Sequence, residues 1–506
     1  MMFANVMGMT TSGIDGVKIV VEVDVANGLP AFDIVGLPTM AVRESKERVK
    51  AALRNSDFPY PMTKITVNLA PADLRKEGSG LDLPIAIGVL CSGRLISQEA
   101  VDGKIFVGEL SLEGAIRKVQ GVLSMIMEAK KSGFEEIFIP KENAAEGKLI
   151  KGINVYTPAD LAELMDHLMG RKKLQPLPKE NILHNTAKIY HEDFADVKGQ
   201  IVARRALEIA AAGGHSVLMV GSPGCGKTML ARRMASILPP LTEAEALDIT
   251  RIYSITGMLP QTESLMLERP FRSPHHSISG SALLGGGSTP KPGEVTLSHN
   301  GVLFLDELPE FDRSTLEMLR QPLEDGEVSI SRVRAALTFP SKFILVAAMN
   351  PCPCGYHGDA AHRCTCKQRE VDNYRRKISG PLMDRIDMQI SLNRVEFMEL
   401  KDKAPGEGSC SIRERVVKAR QIQERRLGGL GFHCNAQMGR SEVVKFCQLD
   451  EQAQLIMEKY FTALHLSARS HDRILKVART IADLAGSRNI QGIHLAEAIQ
   501  LRTCKG

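Results

Sequence analysis

The chain has 506 residues, of which 43% are hydrophobic and 24% charged, and it carries a formal net charge of +5. This composition is typical of a soluble globular protein of two to four domains, and the mild positive charge permits a nucleic-acid partner without requiring one. The sequence contains no apolar run long enough to span a bilayer and no export signal at its N-terminus. Ten cysteines in so long a chain argue against a disulfide framework and predict a reducing cytoplasm.

The first third of the chain mixes short strand and helix patterns. Strands are expected at 17–25, 65–69 and 136–140, a buried segment at 81–90, a strand entering a hairpin at 105–114, and helices from Thr39 to Leu53 and up to Gly133. This mixture predicts an α+β domain over residues 1–168. The segment 169–189 contains prolines and charges without periodicity, which predicts a linker.

Residues 217–228, VLMVGSPGCGKT, form the most informative motif of the sequence. An apolar strand leads into a glycine loop, and a helix buried on one face follows, which is the context of a phosphate-binding loop. In that context Lys227 reaches the β- and γ-phosphates of ATP and Thr228 holds Mg²⁺. The predicted nucleotide-binding residues are Gly221, Ser222, Pro223, Gly224, Cys225, Gly226, Lys227 and Thr228.

Two further strands end in polar side chains. The apolar run GVLFLDE ends in Asp306 and Glu307, and FILVAAMNP ends in Asn350. Adjacent carboxylates after a buried strand are costly unless they meet metal or solvent. We therefore expect Asp306 to support Mg²⁺, Glu307 to polarise the attacking water, and Asn350 to sense the γ-phosphate. The alternatives are a helix-capping Asp beside a solvated Glu, and a simple turn at Asn350.

Four cysteines lie close together between residues 352 and 366. They form C-x-C, nine residues, and a second C-x-C, with Pro353, Gly355 and Gly358 turning the chain between the pairs. Four thiolates on a short loop suit a closed, tetrahedral structural Zn²⁺ site, although C-x-C is tighter than the usual spacing. The alternative is four uncoordinated thiols. The predicted ligands are Cys352, Cys354, Cys364 and Cys366.

These motifs together resemble those of the AAA+ ATPases, in the branch that includes the magnesium-chelatase motor subunit. The sequence resembles the bacterial magnesium-chelatase-like YifB/ComM family still more closely. The motifs that carry this resemblance are DVKGQ, EIAAAGGH, RPFRSPHHSIS, GEVTLSHNGVLFLDELPEF, MNPCPCG and SGPLMDRID. The resemblance covers essentially the whole chain. It implies an α/β P-loop core over 190–400, an α-helical lid over 410–506 and a preceding domain of the Lon-protease-like, ribosomal S5 domain 2-like fold.

The resemblance also implies a ring, usually a hexamer, with ATP at the subunit interfaces. Arg385 in GPLMDRID matches the arginine finger offered to the neighbour, and Arg469 matches the sensor-2 arginine of the lid, with Arg473 as its substitute. The alternative for each arginine is an ordinary surface ion pair. The catalytic residues expected on all these grounds are Lys227, Asp306, Glu307, Asn350, Arg385 and Arg469.

Two inserts are candidates for contact with a substrate. The stretch between Leu238 and Asp306 corresponds to an insertion that projects toward the ring pore in this branch, and its His275 and His276 are expected to be structural rather than metal ligands. GEVSISRVRAALTFPSKF matches the presensor-1 hairpin, whose basic tip reaches into the channel of ring helicases. Its Arg332 and Arg334 are candidate DNA contacts, with a solvated hairpin tip as the alternative.

The N-terminal domain shows no catalytic chemistry of its own. In the Lon-like proteases a Ser and a Lys form the catalytic dyad, and the corresponding positions fall near Gly80 and Leu123, neither of which can act as nucleophile or base. We therefore expect a scaffold or docking domain and not a peptidase.

The resemblance implies a hexameric DNA motor that drives branch migration of recombination intermediates during natural transformation. Its expected cofactors are ATP, Mg²⁺ and a structural Zn²⁺, and its expected partner is single-stranded or branched DNA. The alternative is a magnesium-chelatase-like motor that remodels a protein partner. A regulator without enzymatic activity is disfavoured, because Lys227, Asp306, Glu307 and Asn350 are all present.

Overall fold

A computed structural model of the chain describes residues 2–76, 78–179, 192–260, 265–287, 290–332, 335–359, 361–394, 406–463 and 466–502. The chain forms two compact units. The first combines Met1–Asn185 with Thr242–Met266, and the second combines Thr186–Leu241 with Leu267–Gly506. No helix within the described ranges is both long enough and apolar enough to cross a bilayer.

The strands, in chain order, are β1 (Met2–Ser12), β2 (Asp15–Ala26), β3 (Ala31–Val35), β4 (Lys64–Ala70), β5 (Lys104–Phe106), β6 (Glu109–Leu110), β7 (Ile116–Arg117), β8 (Glu136–Phe138), β9 (Asn154–Tyr156), β10 (Val217–Gly221), β11 (Phe271–Arg272), β12 (Gly285–Gly286), β13 (Lys291–Pro292), β14 (Val302–Leu305), β15 (Glu327–Arg332), β16 (Ala335–Pro340), β17 (Ile344–Met349) and β18 (Met388–Leu392).

The helices up to residue 383 are α1 (Met40–Arg43), α2 (Ser45–Asn55), α3 (Asp82–Ser92), α4 (Val122–Lys131), α5 (Ala144–Gly147), α6 (Leu161–Leu168), α7 (Ile201–Gly213), α8 (Lys227–Ile237), α9 (Glu243–Thr256), α10 (Gly280–Leu284), α11 (Glu294–Leu297), α12 (Arg313–Met318), α13 (Arg320–Asp325), α14 (Gln368–Arg375) and α15 (Gly380–Met383). The C-terminal helices span Ser409–Leu427, Arg440–Phe446, Glu451–Ala463, Ala468–Leu484 and Gly492–Gln500.

The first unit is built on a seven-stranded mixed sheet in the order β3-β4-β2-β1-β5-β8-β9. The long hairpin of β1 and β2 is antiparallel, while β5, β8 and β9 continue the sheet in parallel. Helix α3 is buried along its whole length, because the segment 81–90 is apolar on every face. The expected strands and helices all form, and the helix expected from Thr39 is divided into α1 and α2 by a turn at Glu44.

Helix α9 belongs to this first unit, although it lies in sequence between elements of the second. It begins with a capping box, in which Thr242 and Glu245 satisfy each other's backbone N–H groups, and it ends at Gly257 in a left-handed conformation. Its Arg251 contacts the carboxylate of Asp15 at 2.7 Å. Residues 242–266 of the stretch between Leu238 and Asp306, which is expected to carry a pore insertion, therefore pack with the N-terminal segment in the first unit.

The second unit is centred on a five-stranded parallel sheet in the order β11-β14-β17-β10-β18. Every described pairing in this sheet is parallel, so the carboxyl ends of the strands meet at one edge. The inner strands β14 and β17 are buried at every residue, as their apolar runs predict. This topology brings the loop after β10, the carboxylates after β14 and the asparagine after β17 together.

The C-terminal helices join the same core as the nucleotide strand. Ile412, Val416 and Ala419 of the helix Ser409–Leu427 are buried in the cluster that contains Ala206 and Ala210 of α7. The α/β fold with an α-helical C-terminal part, preceded by an α+β domain, is thus confirmed.

Candidate active site

The phosphate-binding loop connects β10 to α8 and presents Lys227 at the helix N-terminus. Its Nζ donates hydrogen bonds to the carbonyl oxygens of Gly221, at 2.6 Å, and Ser222, at 3.1 Å. Gly224 and Gly226 have φ of +79° and +94°, and a Cβ built on either would meet no atom within 4 Å. Open space beside two left-handed glycines lets a phosphate approach the backbone N–H groups, so the loop fits a polyphosphate.

Asn350, at the end of β17, is joined directly to this loop. Its Oδ1 accepts a hydrogen bond from Lys227 Nζ at 3.1 Å. The side chain therefore contacts the lysine that is expected to bind the γ-phosphate. The structure brings these two predicted site residues together, although they are 123 positions apart in the sequence.

Thr228 and Asp306 form the second contact between the loop and the sheet edge. The hydroxyl of Thr228 donates to Asp306 Oδ2 at 2.7 Å, and the other carboxylate oxygen accepts from the backbone N–H of Glu307 at 2.9 Å. A hydroxyl and a carboxylate are the hard oxygen groups that Mg²⁺ prefers, so this pair fits the ion. The alternative in which Asp306 is a helix cap finds no support, because the carboxylate faces Thr228.

Glu307 has a left-handed backbone conformation, with φ of 51°, and its side chain is 55% exposed. Its Oε2 lies 3.4 Å from Nδ1 of His276, whose ring contacts that of His275 at a centroid distance of 4.0 Å and an angle of 35°. Nearby, His275 Nδ1 is 2.8 Å from the hydroxyl of Ser277. The sequence analysis favoured a structural role for His276 over metal binding and gave no signal of this contact with the predicted catalytic carboxylate.

Two residues hold the loop from its inner side. The thiol of Cys225 is 2% exposed, and a Cβ on Gly221 would lie 2.7 Å from its Sγ, so this small side chain fills the interior of the loop. Burial raises the pKa of that thiol. Gln200 Nε2 donates to the carbonyl of Cys225 at 3.2 Å and to that of Asn393 at 2.5 Å. Gln200 ends the DVKGQ motif, one of the motifs that carry the family resemblance.

The predicted arginine finger, Arg385, is 6% exposed within the chain. Its Nη2 lies 2.6 Å from the carboxylate of Glu324, and its Nη1 donates to the carbonyl of Pro381 at 2.8 Å. Burial would raise the pKa of Glu324, but the hydrogen bond and charge of Arg385 hold it below its usual value. The guanidinium thus has a partner in its own subunit, and a role toward a neighbour requires that this pair open.

Arg469 is 67% exposed and lies 3.9 Å from the other oxygen of the same Glu324 carboxylate. Arg473, named as its substitute, is committed elsewhere, since it forms an ion pair with Asp387 and donates to the carbonyl of Arg385 at 2.7 Å. Arg469 is therefore the arginine of this helix that is accessible to a ligand. The structure places it beside Arg385, and both arginines face one carboxylate.

The predicted zinc ligands converge on one point. Their four sulfur atoms lie within 4.8 Å of one another, and no other such group of potential metal ligands occurs in the described ranges. Backbone N–H groups of Tyr356 and Thr365 lower the pKa of the Cys354 thiol and favour its thiolate form. The cluster begins two residues after Asn350. Asp359, which no sequence signal singled out, extends from this loop to the hydroxyl of Ser222 at 2.6 Å.

The candidate DNA-contacting hairpin forms from β15 and β16, paired from Glu327 with Pro340 to Arg332 with Ala335. Arg332 ends β15 at the tip of this hairpin. Arg334 lies outside the described residues. The backbone agrees with a hairpin that has its basic sequence at the tip, and the DNA contact stays a prediction.

A five-stranded parallel sheet, a phosphate loop, a Thr–Asp pair for Mg²⁺ and a polar residue at the end of the adjacent strand define a P-loop ATPase core of the AAA+ type. Family models described as magnesium chelatase subunit ChlI match residues 193–400, 21–143 and, as its C-terminal part, 406–502. Together these matches cover both units.

Individual relatives agree with these matches. The chain is 43% identical over 508 residues to competence protein ComM of Haemophilus influenzae, which covers 99% of this chain and 98% of the relative. It is 43% identical over 492 residues to YifB of Escherichia coli, covering 97% and 95% of the two chains. A shorter match, 25% identical over 198 residues, joins it to the magnesium-chelatase 67 kDa subunit of Heliobacterium mobile. The chain belongs to the YifB/ComM family of magnesium-chelatase-like AAA+ proteins.

Proposed function

We propose that the protein is a Mg²⁺-dependent, ring-forming ATPase of the cytoplasm that moves on DNA and drives branch migration of recombination intermediates, including those of natural transformation. The observation that supports the ATPase activity is the hydrogen bond from Lys227 to Asn350, beside the hydrogen bond from Thr228 to Asp306. The DNA substrate is supported by the full-length similarity to a protein named for competence. The Arg-bearing hairpin and the positive net charge agree with it.

The residues of the site have distinct tasks in the proposed hydrolysis. ATP supplies the phosphoanhydride bond that is cleaved. Lys227 and the loop N–H groups bind its phosphates, and Thr228 with Asp306 holds Mg²⁺. Glu307 accepts a proton from the attacking water, while the amide N–H of Asn350 donates toward the γ-phosphate because its Oδ1 is engaged by Lys227. These groups favour hydrolysis over simple nucleotide storage.

The ring is needed in this proposal because the two candidate arginines are held by Glu324. Neither Arg385 nor Arg469 has a described contact with its own phosphate loop, and both lie at one carboxylate. We propose that they complete the site of a neighbouring subunit in a homo-oligomer, most simply a hexamer. An arginine in this role is worth roughly 10³–10⁵ in rate in related phosphoryl-transfer enzymes.

We also propose that the four clustered cysteines hold a structural Zn²⁺. Three of their sulfur pairs lie at 3.3, 3.7 and 3.5 Å. A tetrahedral site with Zn–S bonds of about 2.3 Å places its sulfurs about 3.8 Å apart, so small adjustments admit the ion. Metal analysis of the purified chain should find about one zinc per chain, and a content far below this would reject the site.

The DNA motor is tested by measuring ATPase activity with and without single-stranded and branched DNA, together with migration of a synthetic four-way junction. We expect stimulation by DNA, binding that weakens steeply with salt, and loss of both activities in Lys227→Ala. Replacing Arg332 and Arg334 by Ala should abolish junction migration, lower the salt slope by about two and leave nucleotide binding intact. Replacing the exposed Arg117 and Lys118 of the first unit is the charge-matched control.

The second candidate is a motor that remodels a protein partner, as the ChlI descriptions of all three family models suggest. It predicts basal ATPase activity with no stimulation by DNA and no salt-dependent DNA binding. Those two results together would replace the DNA proposal, and affinity capture with the Glu307→Gln variant, which should bind ATP without hydrolysing it, would then be used to seek the protein substrate.

A further inference from the structure

The loop that carries the four cysteines lies directly on the phosphate-binding loop. It begins after β17, at the sheet edge where nucleotide binds, and Asn350 joins it to Lys227 at 3.1 Å. Cys352, the first of the four, is fully buried, and its Sγ accepts a hydrogen bond from the backbone N–H of His357 at 3.3 Å. A metal bound here would therefore lie next to the catalytic machinery and not on a remote surface.

A polar contact joins the two loops. The hydroxyl of Ser222, the second residue of the phosphate loop, donates to Asp359 Oδ2 at 2.6 Å. The other oxygen of Asp359 accepts from the backbone N–H groups of Ala361, at 2.8 Å, and His362, at 2.9 Å. The Asp359 side chain is only 5% exposed. One carboxylate thus fixes the fold of the cysteine loop with one oxygen and the position of Ser222 with the other.

A steric contact fixes the same region. Gly355, next to Cys354, has φ of +87°, and a Cβ on it would lie 2.7 Å from both Cδ and Cγ of Pro223. The backbone of the cysteine loop therefore packs against the third residue of the phosphate loop with no room for a side chain. Pro223 cannot move outward while Gly355 keeps its place.

The lysine is affected through the same residues. The carbonyl of Ser222 accepts a hydrogen bond from Lys227 Nζ at 3.1 Å, so a shift of residues 222–223 displaces a partner of the phosphate-binding ammonium. The hydrogen bond from Ser222, together with those from the N–H groups of Ala361 and His362, lowers the pKa of the Asp359 carboxyl to about 2, so the contact includes a charged acceptor at neutral pH.

We propose that a Zn²⁺ bound by Cys352, Cys354, Cys364 and Cys366 braces the phosphate-binding loop through Asp359 and Gly355, so that nucleotide affinity depends on occupancy of the metal site. Four thiolates within 4.8 Å of one another repel one another unless a cation offsets their charge, and the turn that carries Asp359 connects the two cysteine pairs. Loss of the ion releases this turn, and with it both contacts to Ser222 and Pro223. The inference rests on the proposed zinc site and is independent of the DNA substrate.

The test uses the full-length protein without DNA and follows two quantities, zinc content by elemental analysis and affinity for a fluorescent ATP analogue. Asp359→Ala should retain about one zinc per chain and bind the analogue about tenfold more weakly, since it removes a charge-assisted hydrogen bond. Removing zinc by dialysis against a chelator, which leaves the Cys225 thiol of the phosphate loop unmodified, should weaken binding in the wild type at least as much. The same treatment should weaken binding of the analogue less in Asp359→Ala than in the wild type, because that variant already lacks the hydrogen bond from Ser222.

Cys364→Ser supplies a second route to the metal-free loop, and circular dichroism and thermal melting verify that the variant is folded. The control is Cys410→Ser, since Cys410 is an exposed thiol outside the cluster and its loss should change neither quantity. Zinc absent from the untreated wild type would reject the metal site itself. Zinc present, with nucleotide affinity unchanged after its removal and in Asp359→Ala, would overturn the brace while leaving the metal site and the motor proposal standing.

Discussion

Arg385 is held 2.6 Å from the carboxylate of Glu324 inside its own subunit, although its sequence motif matches a residue that acts on a neighbour. The pair is nearly inaccessible on the arginine side, and Arg469 approaches the same carboxylate at 3.9 Å. Glu324 therefore holds the two arginines that, in the proposed ring, would act on a neighbouring subunit. Because the ion pair has two partners, a structural role of Arg385 can be distinguished from a catalytic one by substituting each partner in turn.

Arg385→Ala and Glu324→Gln both break this ion pair, but only the first removes the guanidinium. If Arg385 completes a neighbour's site, Arg385→Ala should lower ATPase activity about 10³-fold while ATP binding persists. Glu324→Gln should keep turnover within about threefold of the wild type. Mixing wild-type with Arg385→Ala subunits should then suppress activity more than dilution does. Equal losses in the two variants, with a proportional response to mixing, would assign Arg385 to folding alone.

A second prediction concerns the contact between His276 and Glu307. Oε2 of Glu307 lies only 3.4 Å from the imidazole of His276, and this contact restricts the orientation in which the carboxylate can bind the attacking water. We expect His276→Ala to raise basal ATPase activity about three- to tenfold and to reduce the ratio of DNA-stimulated to basal activity. His433→Ala is the control, because His433 is exposed and its described hydrogen bonds involve only its backbone. A fall of His276→Ala to the level of Glu307→Gln would mean that the histidine orients the base for catalysis.

The sequence pointed to the candidate catalytic groups because each follows an apolar strand. Asp306 and Asn350 come directly after β14 and β17, and Lys227 follows β10 through the phosphate loop. A parallel sheet collects such strand ends at one edge whatever the intervening sequence. Asp359 and His276 could not be found in the same way. They lie on irregular segments, and their partners, Ser222 and Glu307, are 137 and 31 positions away in sequence, the latter counted from 276 to 307.

Composition and pattern indicate the contiguous domain segments, whereas the membership of α9 in the first unit has no such signal. Thr242 and Glu245 show a capping box in the sequence, so the start of α9 was visible. Nothing in local pattern says which sheet or helix an amphipathic helix will cover, because its apolar face fits many partners. The assignment of α9 to the first unit follows from pairs such as Arg251 with Asp15, which the sequence does not reveal.

A third prediction is a pH dependence centred on the buried Asp387. Burial alone would raise its pKa, but Arg473, then His215 and the N–H of Ser216, hold the pKa well below the usual range. An unfolded Asp has a pKa near 3.9, so below about pH 5 the unfolded chain binds more protons than the folded one. The free energy of unfolding therefore decreases as the pH is lowered.

This contribution is fully present at neutral pH and is lost progressively as the pH falls from about 5. The melting temperature of the second unit should therefore drop more steeply between pH 5 and pH 3 in the wild type than in Asp387→Asn. At pH 7 Asp387→Asn should be destabilised by about 3 kcal/mol, because Arg473 loses its charged partner. Calorimetric scans at several pH values test this, and parallel slopes for the two proteins would remove Asp387 as the titrating group.

A fourth prediction follows from the contacts between α9 and α4 within the first unit. The hydroxyl of Ser254 donates to Glu146 Oε2 at 2.5 Å, and the same carboxylate oxygen accepts from the N–H of Leu123, at the start of α4, at 3.1 Å. Glu146 is 4% exposed, so the pair is shielded from water. The buried carboxylate thus ties the N-terminus of one helix to the last turn of the other.

Ser254→Ala should therefore loosen both helices together. Because a buried hydrogen bond to a charged group is lost, hydrogen exchange in α4 and α9 should quicken by about tenfold, while exchange in β10 of the second unit stays unchanged. Glu243→Ala, on the exposed first turn of α9, is the control and should alter neither helix. Faster exchange confined to α9 would show that α4 does not depend on this contact, and faster exchange in β10 as well would show that the two units do not open independently.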